Sequence, residues 1–298
     1  MTRPVSPLLA FAAGCTGIFT YSIMDAVMKA LSIESGAYSA LLWRSLAGVV
    51  MTGALFVVRR QRWPGGKALK LHLARGLVTG ASVLLFFWGL VHVPMAQAVA
   101  LTFLAPLIAL FLAGAILGER IGRGAVLGAL AASAGVLMIA AGQARGGGTD
   151  LLWLGSGAVV LASIFYAVSL ILLRQQAQAA SPLEVTLFTS LVLGGALLIG
   201  APWLATAPRI DQLPWVAVAA AIGSLSGYLM AWAYAHAEAQ LLSMVEYTAF
   251  IWAAILGYLV FGEAVSWFTV AGAVLIVGGC LIAVRGRTDP APMTEAAA

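Results

Sequence analysis

Long apolar runs separated by short polar gaps make up almost the whole chain. A helix needs about 20 apolar residues to cross some 30 Å of hydrocarbon. Runs of that kind lie at roughly 8–31, 38–58, 70–91, 95–117 and 122–143, and again at 151–173, 183–204, 213–236, 241–261 and 267–284. The gaps are short, with Gly65-Gly66 in the second and Gly146-Gly147-Gly148 at the midpoint, and none has room for a soluble domain. The pattern predicts an all-α membrane protein of ten transmembrane helices. From Arg285 onward the chain is polar and interrupted by proline, and 285–298 reads as a disordered tail.

Composition agrees with this reading. Hydrophobic residues make up 62% of the 298 and charged residues 9%, against about 25% charged in a typical soluble domain. The mean hydropathy is +1.01. A net charge of +5 raises nucleic acid as a partner, but the basic residues sit mostly between apolar runs, as the positive-inside rule expects, and no nucleic acid is implied. With the N-terminus inside, the cytoplasmic side collects Arg3, Arg59, Arg60, Arg62, Lys67, Lys70, Arg75, Arg120, Arg123, Arg174, Arg285 and Arg287, and the outside keeps Lys29, Arg145 and Arg209. Both termini are then cytoplasmic, and the lipid bilayer is the first partner. Cys15 and Cys280 both fall within apolar runs, which suggests neither a disulfide framework nor a metal cluster. Together these features fit a bacterial inner membrane.

An internal repeat is the most informative feature. Advancing by 144 residues places Trp88 on Trp232, His92 on His236, Gly118-Glu119 on Gly262-Glu263, and Gly128 and Gly135 on Gly272 and Gly279. Each half, 8–143 and 151–284, holds five runs, an odd number, so the second half enters the membrane with opposite polarity. Two inverted five-helix repeats are the architecture of many secondary transporters, with a substrate site near the midplane between the halves.

The stretch from Leu104 through Pro106 to Gly118-Glu119 resembles the signature of the drug/metabolite transporter superfamily, and more narrowly the EamA-type exporters. The second copy, Phe250 through Gly262-Glu263, is similar but has Phe250 where a proline often stands, a departure that speaks against a proline kink in helix 9. The overall pattern is similar to the bacterial aromatic amino acid exporters. That resemblance implies ten helices around a central cavity, with helices 5 and 10 standing aside. It also implies small-molecule cargo, amino acids or related metabolites moving outward, and no cofactor.

An ionisable group inside a membrane is costly and calls for a partner or a function. Asp25 reads as a site for a substrate ammonium or a proton, or as a local ion pair with Lys29 one turn away. Lys29 itself reads as an anchor whose stem lies in lipid and whose amine reaches the interface. Arg44 suits a substrate carboxylate, or pairs with Asp25 or Glu34. Glu246 is a candidate proton-coupling or ammonium-binding group, or a hydrogen-bonded acid between helices. Glu184 suits a helix N-terminus. Glu119 and Glu263 read as structural, and His92 and His236 as boundary hydrogen-bonding groups. Tyr21, Trp88, Tyr166, Tyr228, Trp232, Tyr247 and Trp252 are aromatic candidates for stacking or cation–π contact with cargo, or for helix packing.

Motifs for other chemistries are missing. Gly65-Gly66-Lys67 is followed by Ala68, so it is not a nucleotide-binding loop. There is no His-Glu-x-x-His and no Gly-x-Ser-x-Gly. The expectation is a secondary active or facilitative transporter and not an enzyme, with protons as a possible coupling partner. A multidrug or other metabolite exporter of the same fold is the alternative, and a channel or an intramembrane enzyme stands further off.

Overall fold

The computed structural model describes residues 7–117, 123–147, 149–236 and 245–285. Its first half comprises α1 (Pro7–Ser35), α2 (Ala37–Val58), α3 (Gly66–His92), α4 (Met95–Thr102), α5 (Leu104–Leu117) and α6 (Arg123–Arg145). The second comprises α7 (Asp150–Ala179), α8 (Pro182–Leu204), α9 (Leu213–His236), α10 (Ala249–Phe261) and α11 (Trp267–Arg285). No strand occurs among the described residues. α1, α2, α3, α6, α7, α8 and α9 each hold a stretch long and apolar enough to cross a membrane, and Met95–Ala109, Ala249–Phe261 and Trp267–Ile282 are apolar but shorter. Large apolar side chains such as Val50, Leu130, Ile199, Leu259 and Val274 stand well exposed, as lipid contact requires. The chain is a multi-pass membrane protein.

The 95–117 run is two helices, not one. Pro106 has no N–H for the Thr102 carbonyl and its ring would crowd that carbonyl. The chain therefore breaks at Phe103, whose N–H turns to Ala100 O at 3.2 Å, and Pro106 falls in the first turn of α5, where no N–H is needed. The second half keeps the same break without the proline. At Tyr247–Thr248 the Thr248 N–H reaches Val245 O at 3.0 Å and the Phe250 N–H reaches Tyr247 O at 3.3 Å. Phe103 and Tyr247, 144 residues apart, meet edge to face with centroids 5.2 Å apart.

Helix pairs follow the same spacing. α1 packs on α9 as α3 packs on α7, α2 packs on α8, and α6 packs on α11. Two contacts in the last pair are one contact repeated. A Cβ on Gly135 would lie 2.6 Å from Gly272 O, and one on Gly279 would lie 2.4 Å from Gly128 O. Glycine allows these backbones to touch, as small residues do in membrane bundles.

At the end of α10, Gly262 takes a left-handed φ of 67°, and the Glu263 N–H returns to Gly257 O at 3.1 Å. This glycine-closed helix end folds the Glu263 carboxylate back onto α4, where Oε2 accepts the Met95 N–H at 2.7 Å. Its other oxygen pairs with Lys29. Glu263 is therefore structural, and its Gly-Glu motif has a local cause. Gly118-Glu119 and the 286–298 tail lie outside the described residues. Lys29 departs from expectation: it is 3% exposed, its Nζ also donates to Val93 O at 2.9 Å, and it neither pairs with Asp25 nor reaches an interface.

Candidate functional site

Between the halves lies a cavity of ≈ 280 Å³, walled by α1, α2, α3, α4, α5, α7, α8 and α9 and by Glu246 and Ala249. α6 and α11 contribute nothing to the wall. A second space of ≈ 160 Å³ between α4, α6, α10 and α11 carries Gln97, Gln143 and Glu263.

Five of the ten sequence candidates line the main cavity: Tyr21, Asp25, Arg44, Tyr166 and Glu246. The other five do not. Trp88 lies tilted against His92 and Trp232 stacks on His236, in each case the histidine one turn later, with centroids 4.6 and 4.5 Å apart. Those histidines, His92 and His236, each place Nδ1 2.8 Å from the tryptophan carbonyl. Tyr228 is 39% exposed on the outside of α9. Tyr247 sits behind Phe103, and Trp252 packs edge to face on Phe19.

The wall holds two arginines and two acids. The Arg44 guanidinium donates to Met24 Sδ at 3.2 Å, and Gly223 opposite leaves it room, since a Cβ there would meet Nη1 at 3.2 Å. No ion pair forms with either cavity arginine among the described residues. Tyr234 Oη donates to Glu246. Hydroxyls complete the polar lining: Thr79 meets Ser169 at 2.7 Å, and Ser82 donates to Ala162 O at 2.9 Å.

Arg75 corrects the loop count. It belongs to the cavity wall, where Nη1 donates to Gln176 Oε1 at 3.1 Å and to Thr189 Oγ1 at 2.8 Å. Its Nε is buried with no hydrogen-bond partner among the described residues. The signal was present, because Arg75 falls inside the 70–91 run and a cation there needs an explanation. Tyr234 was also missed; nothing in the local sequence sets it apart from the other membrane tyrosines. Glu184 does sit in the first turn of α8, which Ser181 caps through the Glu184 N–H at 3.2 Å. Its carboxylate also binds His72, at 2.9 Å. Among the described residues no three His, Cys, Asp or Glu side chains cluster as a metal site would require.

Outside the membrane spans, Arg209 bonds to Asp211 at 2.7 Å and reaches Glu34 at 3.3 Å. The hydrogen bond from Arg209 holds the Asp211 carboxyl below its ordinary range.

A multi-pass membrane protein, helical throughout the described residues, with a largely apolar cavity that carries a few charged and hydroxyl groups between two matching halves defines a class: carriers of small molecules. The EamA-like transporter family model matches twice, over residues 8–141 and 153–285. The chain belongs to the EamA-like transporter family, and so to transporters and not to enzymes. It is 26% identical over 278 residues to a pseudopaline exporter, CntI, of Pseudomonas aeruginosa, covering 90% of this chain and 93% of that one. It is 24% identical over 275 residues to a riboflavin transporter of Brucella anthropi, covering 89% and 94%. A solved crystal structure shares the fold at a TM-score of 0.62 and 23% identity, over 94% of this chain and 98% of that one.

Proposed function

We propose that this chain is a secondary transporter that exports small zwitterionic metabolites, foremost amino acids with aromatic or other neutral side chains, across the bacterial inner membrane. The observation that carries the reading is the cavity wall, where Asp25, Glu246, Arg44 and Arg75 stand among Tyr21, Tyr166 and Tyr234. A carboxylate finds arginine forks there, an ammonium finds acids and tyrosine faces, and the balanced charge suits a zwitterion. In this reading the ten runs cross the membrane as two inverted five-helix units, 8–143 and 151–284, with both termini cytoplasmic. Transport then proceeds by rocking of the units around a site near the midplane. The paired breaks at Phe103 and Tyr247 and the repeated glycine contacts support that symmetry. Export as the direction follows the pseudopaline exporter.

A second reading has support of its own. Two acids and two arginines exceed what a single α-amino acid head needs, and relatives named for pseudopaline and riboflavin favour a larger metabolite with several charged or polar groups. Counterflow in proteoliposomes separates the two. Labelled L-phenylalanine drawn in by trapped unlabelled phenylalanine, and lost in Asp25→Asn and Arg44→Gln, supports the first. No counterflow with any amino acid, alongside movement of riboflavin or a multiply charged metabolite, overturns it in favour of the second.

A further inference from the structure

The main cavity sits off centre between the two halves. In the arrangement proposed above, equivalent helices run in opposite directions, so the reach of the wall along each helix compares its two ends. On α7 the wall extends to Leu173, six residues before Ala179, whereas on α1 it stops at Asp25, ten before Ser35. On α9 it extends to Tyr234, two residues before His236, but on α3 only to Phe87, five before His92. On α8 it begins at Val185, three residues past Pro182, but on α2 at Arg44, seven past Ala37. Every comparison differs in the same sense by three or four residues, about one helical turn or 5 Å. The cavity therefore reaches a turn closer to the ends at Ala179, Pro182 and His236, the cytoplasmic ends in the proposed orientation. The counterparts at the other end are Lys29 for Leu173 and Leu90 for Tyr234, each 144 residues earlier, and Ala40, three past Ala37, for Val185. None of the three is on the wall. Lys29 stands one turn beyond Asp25, where Nζ donates to Val93 O at 2.9 Å, pairs with Glu263 and lies 5.1 Å from the centre of the Phe261 ring. With Glu263 holding the Met95 N–H, these contacts tie α1 to the α3–α4 link and, from the other half, to the end of α10.

We propose that Lys29 and Glu263 form the outer gate of the carrier, closed while the cavity reaches toward the cytoplasm and parted when it opens outward. The proposal rests on the transport reading and orientation above and gives both residues a positioning role. Two halves of like fold that rock against each other can exchange conformations, and the exchange gives each residue the surroundings its counterpart has here. Lys29 then takes the place of Leu173 on the wall and Leu90 that of Tyr234, while Leu173 and Tyr234 withdraw from it. Parting the pair in a dry interior leaves two uncompensated charges. Water at the outer end solvates both, so the gate opens together with the wetting of that end. The counterpart of Lys29 on α7 is a leucine, so that position supplies no ammonium to the inner end, and the pair favours the state seen here. For an anionic cargo the exchange adds a third cation: a carboxylate leaving Arg44 and Arg75 meets the Lys29 ammonium on its way out.

The test reads water access and needs no cargo. Full-length protein with Cys15 and Cys280 replaced by serine carries one reporter, Val185→Cys for the inner end or Ala40→Cys for the outer. A charged, membrane-impermeant methanethiosulfonate is applied to right-side-out and inside-out vesicles. In the parent, Val185→Cys should react from the cytoplasmic side about tenfold faster than Ala40→Cys reacts from outside. Lys29→Met with Glu263→Gln removes both charges at once. In that background Ala40→Cys should react about fivefold faster from outside, and Val185→Cys more slowly from inside. A pair that is only structural would change the melting midpoint and leave the ratio of outer to inner rates alone, so an unchanged ratio overturns the gate. Equal rates at the two reporters in the parent overturn it as well. Leu90→Cys, the counterpart of Tyr234, repeats the outer measurement where Ala40→Cys does not fold. If Val185→Cys reacts only from outside, the orientation falls, and a rise at Ala40→Cys from the cytoplasmic side then supports the gate in an inverted chain. Counterflow is measured separately: its absence beside an intact shift in access removes the amino acid reading and leaves the gate.

Discussion

Lys29 and Glu263 meet where α1, the start of α4 and the end of α10 converge, 3% and 21% exposed. Removing one partner of a buried pair leaves a charge with nothing to offset its desolvation, at a cost of about 3–5 kcal/mol. Lys29→Met should therefore lower the thermal unfolding midpoint sharply in detergent, and Lys29→Met with Glu263→Gln should recover much of the loss. A double variant no more stable than the single one would mean that Lys29 contributes by packing alone. The aromatic residues divide in a similar way. Trp232 and Trp88 lie off the cavity wall, each beside its own histidine, so Trp232→Phe should leave KM within about twofold, as changes away from a site do. Tyr166→Ala, on the wall, should raise KM by up to about tenfold. Equal effects of the two substitutions on KM would place the tryptophan in the path of the cargo. Asp25, Arg44 and Glu246 were legible as residues needing an explanation, because charge inside an apolar run is visible in one dimension. Their company was not legible: Lys29 pairs with Glu263, 234 positions away, and not with Asp25 one turn along.

At the scale of elements, glycines carry most of the close packing. Gly135 and Gly279 on α6 and α11 lie against the backbone of the opposite helix, and neither helix touches the cavity. Gly135→Val should therefore reduce stability by about 1–3 kcal/mol through overpacking, with KM for the cargo unchanged. The paired measurements are a melting curve and a transport assay; a KM shift without loss of stability would tie this seam to the moving parts. Helix ends were largely legible, since α2, α8, α9 and α11 begin and stop within a residue or two of the apolar runs. The break at Phe103 was hidden inside a continuous run. In the second half nothing in the sequence announces the break at Tyr247, which has no proline and sits where Tyr247 meets Phe103 edge to face.

Across the whole molecule, the loops still favour one side after Arg75 and Lys29 are removed from the count. The proposed orientation predicts that, in a chain with Cys15 and Cys280 replaced by serine, a membrane-impermeant maleimide added to intact cells labels Asp211→Cys but not Arg62→Cys. The reverse labelling would invert the topology and reassign which end of the cavity faces the cytoplasm. The two halves repeat their contacts as well as their residues: the α1–α9 pair answers to α3–α7, and α6–α11 answers to itself. The repeat read from matched Trp, His and Gly positions is thus carried into three dimensions as a set of equivalent interfaces.

Hydrophobicity and length are local properties. The sequence by itself therefore determined that this protein is helical and membrane-bound, where most of its spans lie, that its halves are related, and which buried charges needed an explanation. It could not say which face of each helix turns inward. In water an apolar stripe marks the buried face, but lipid is as apolar as leucine, so these helices are apolar all round and the stripe is lost. Only the interhelical contacts, glycine against backbone at α6–α11 and glycine beside Arg44 on α9, set the rotation of each helix. That rotation brought Arg75 and Tyr234 into the cavity, turned Trp88, Tyr228 and Trp232 away from it, and joined Lys29 to Glu263.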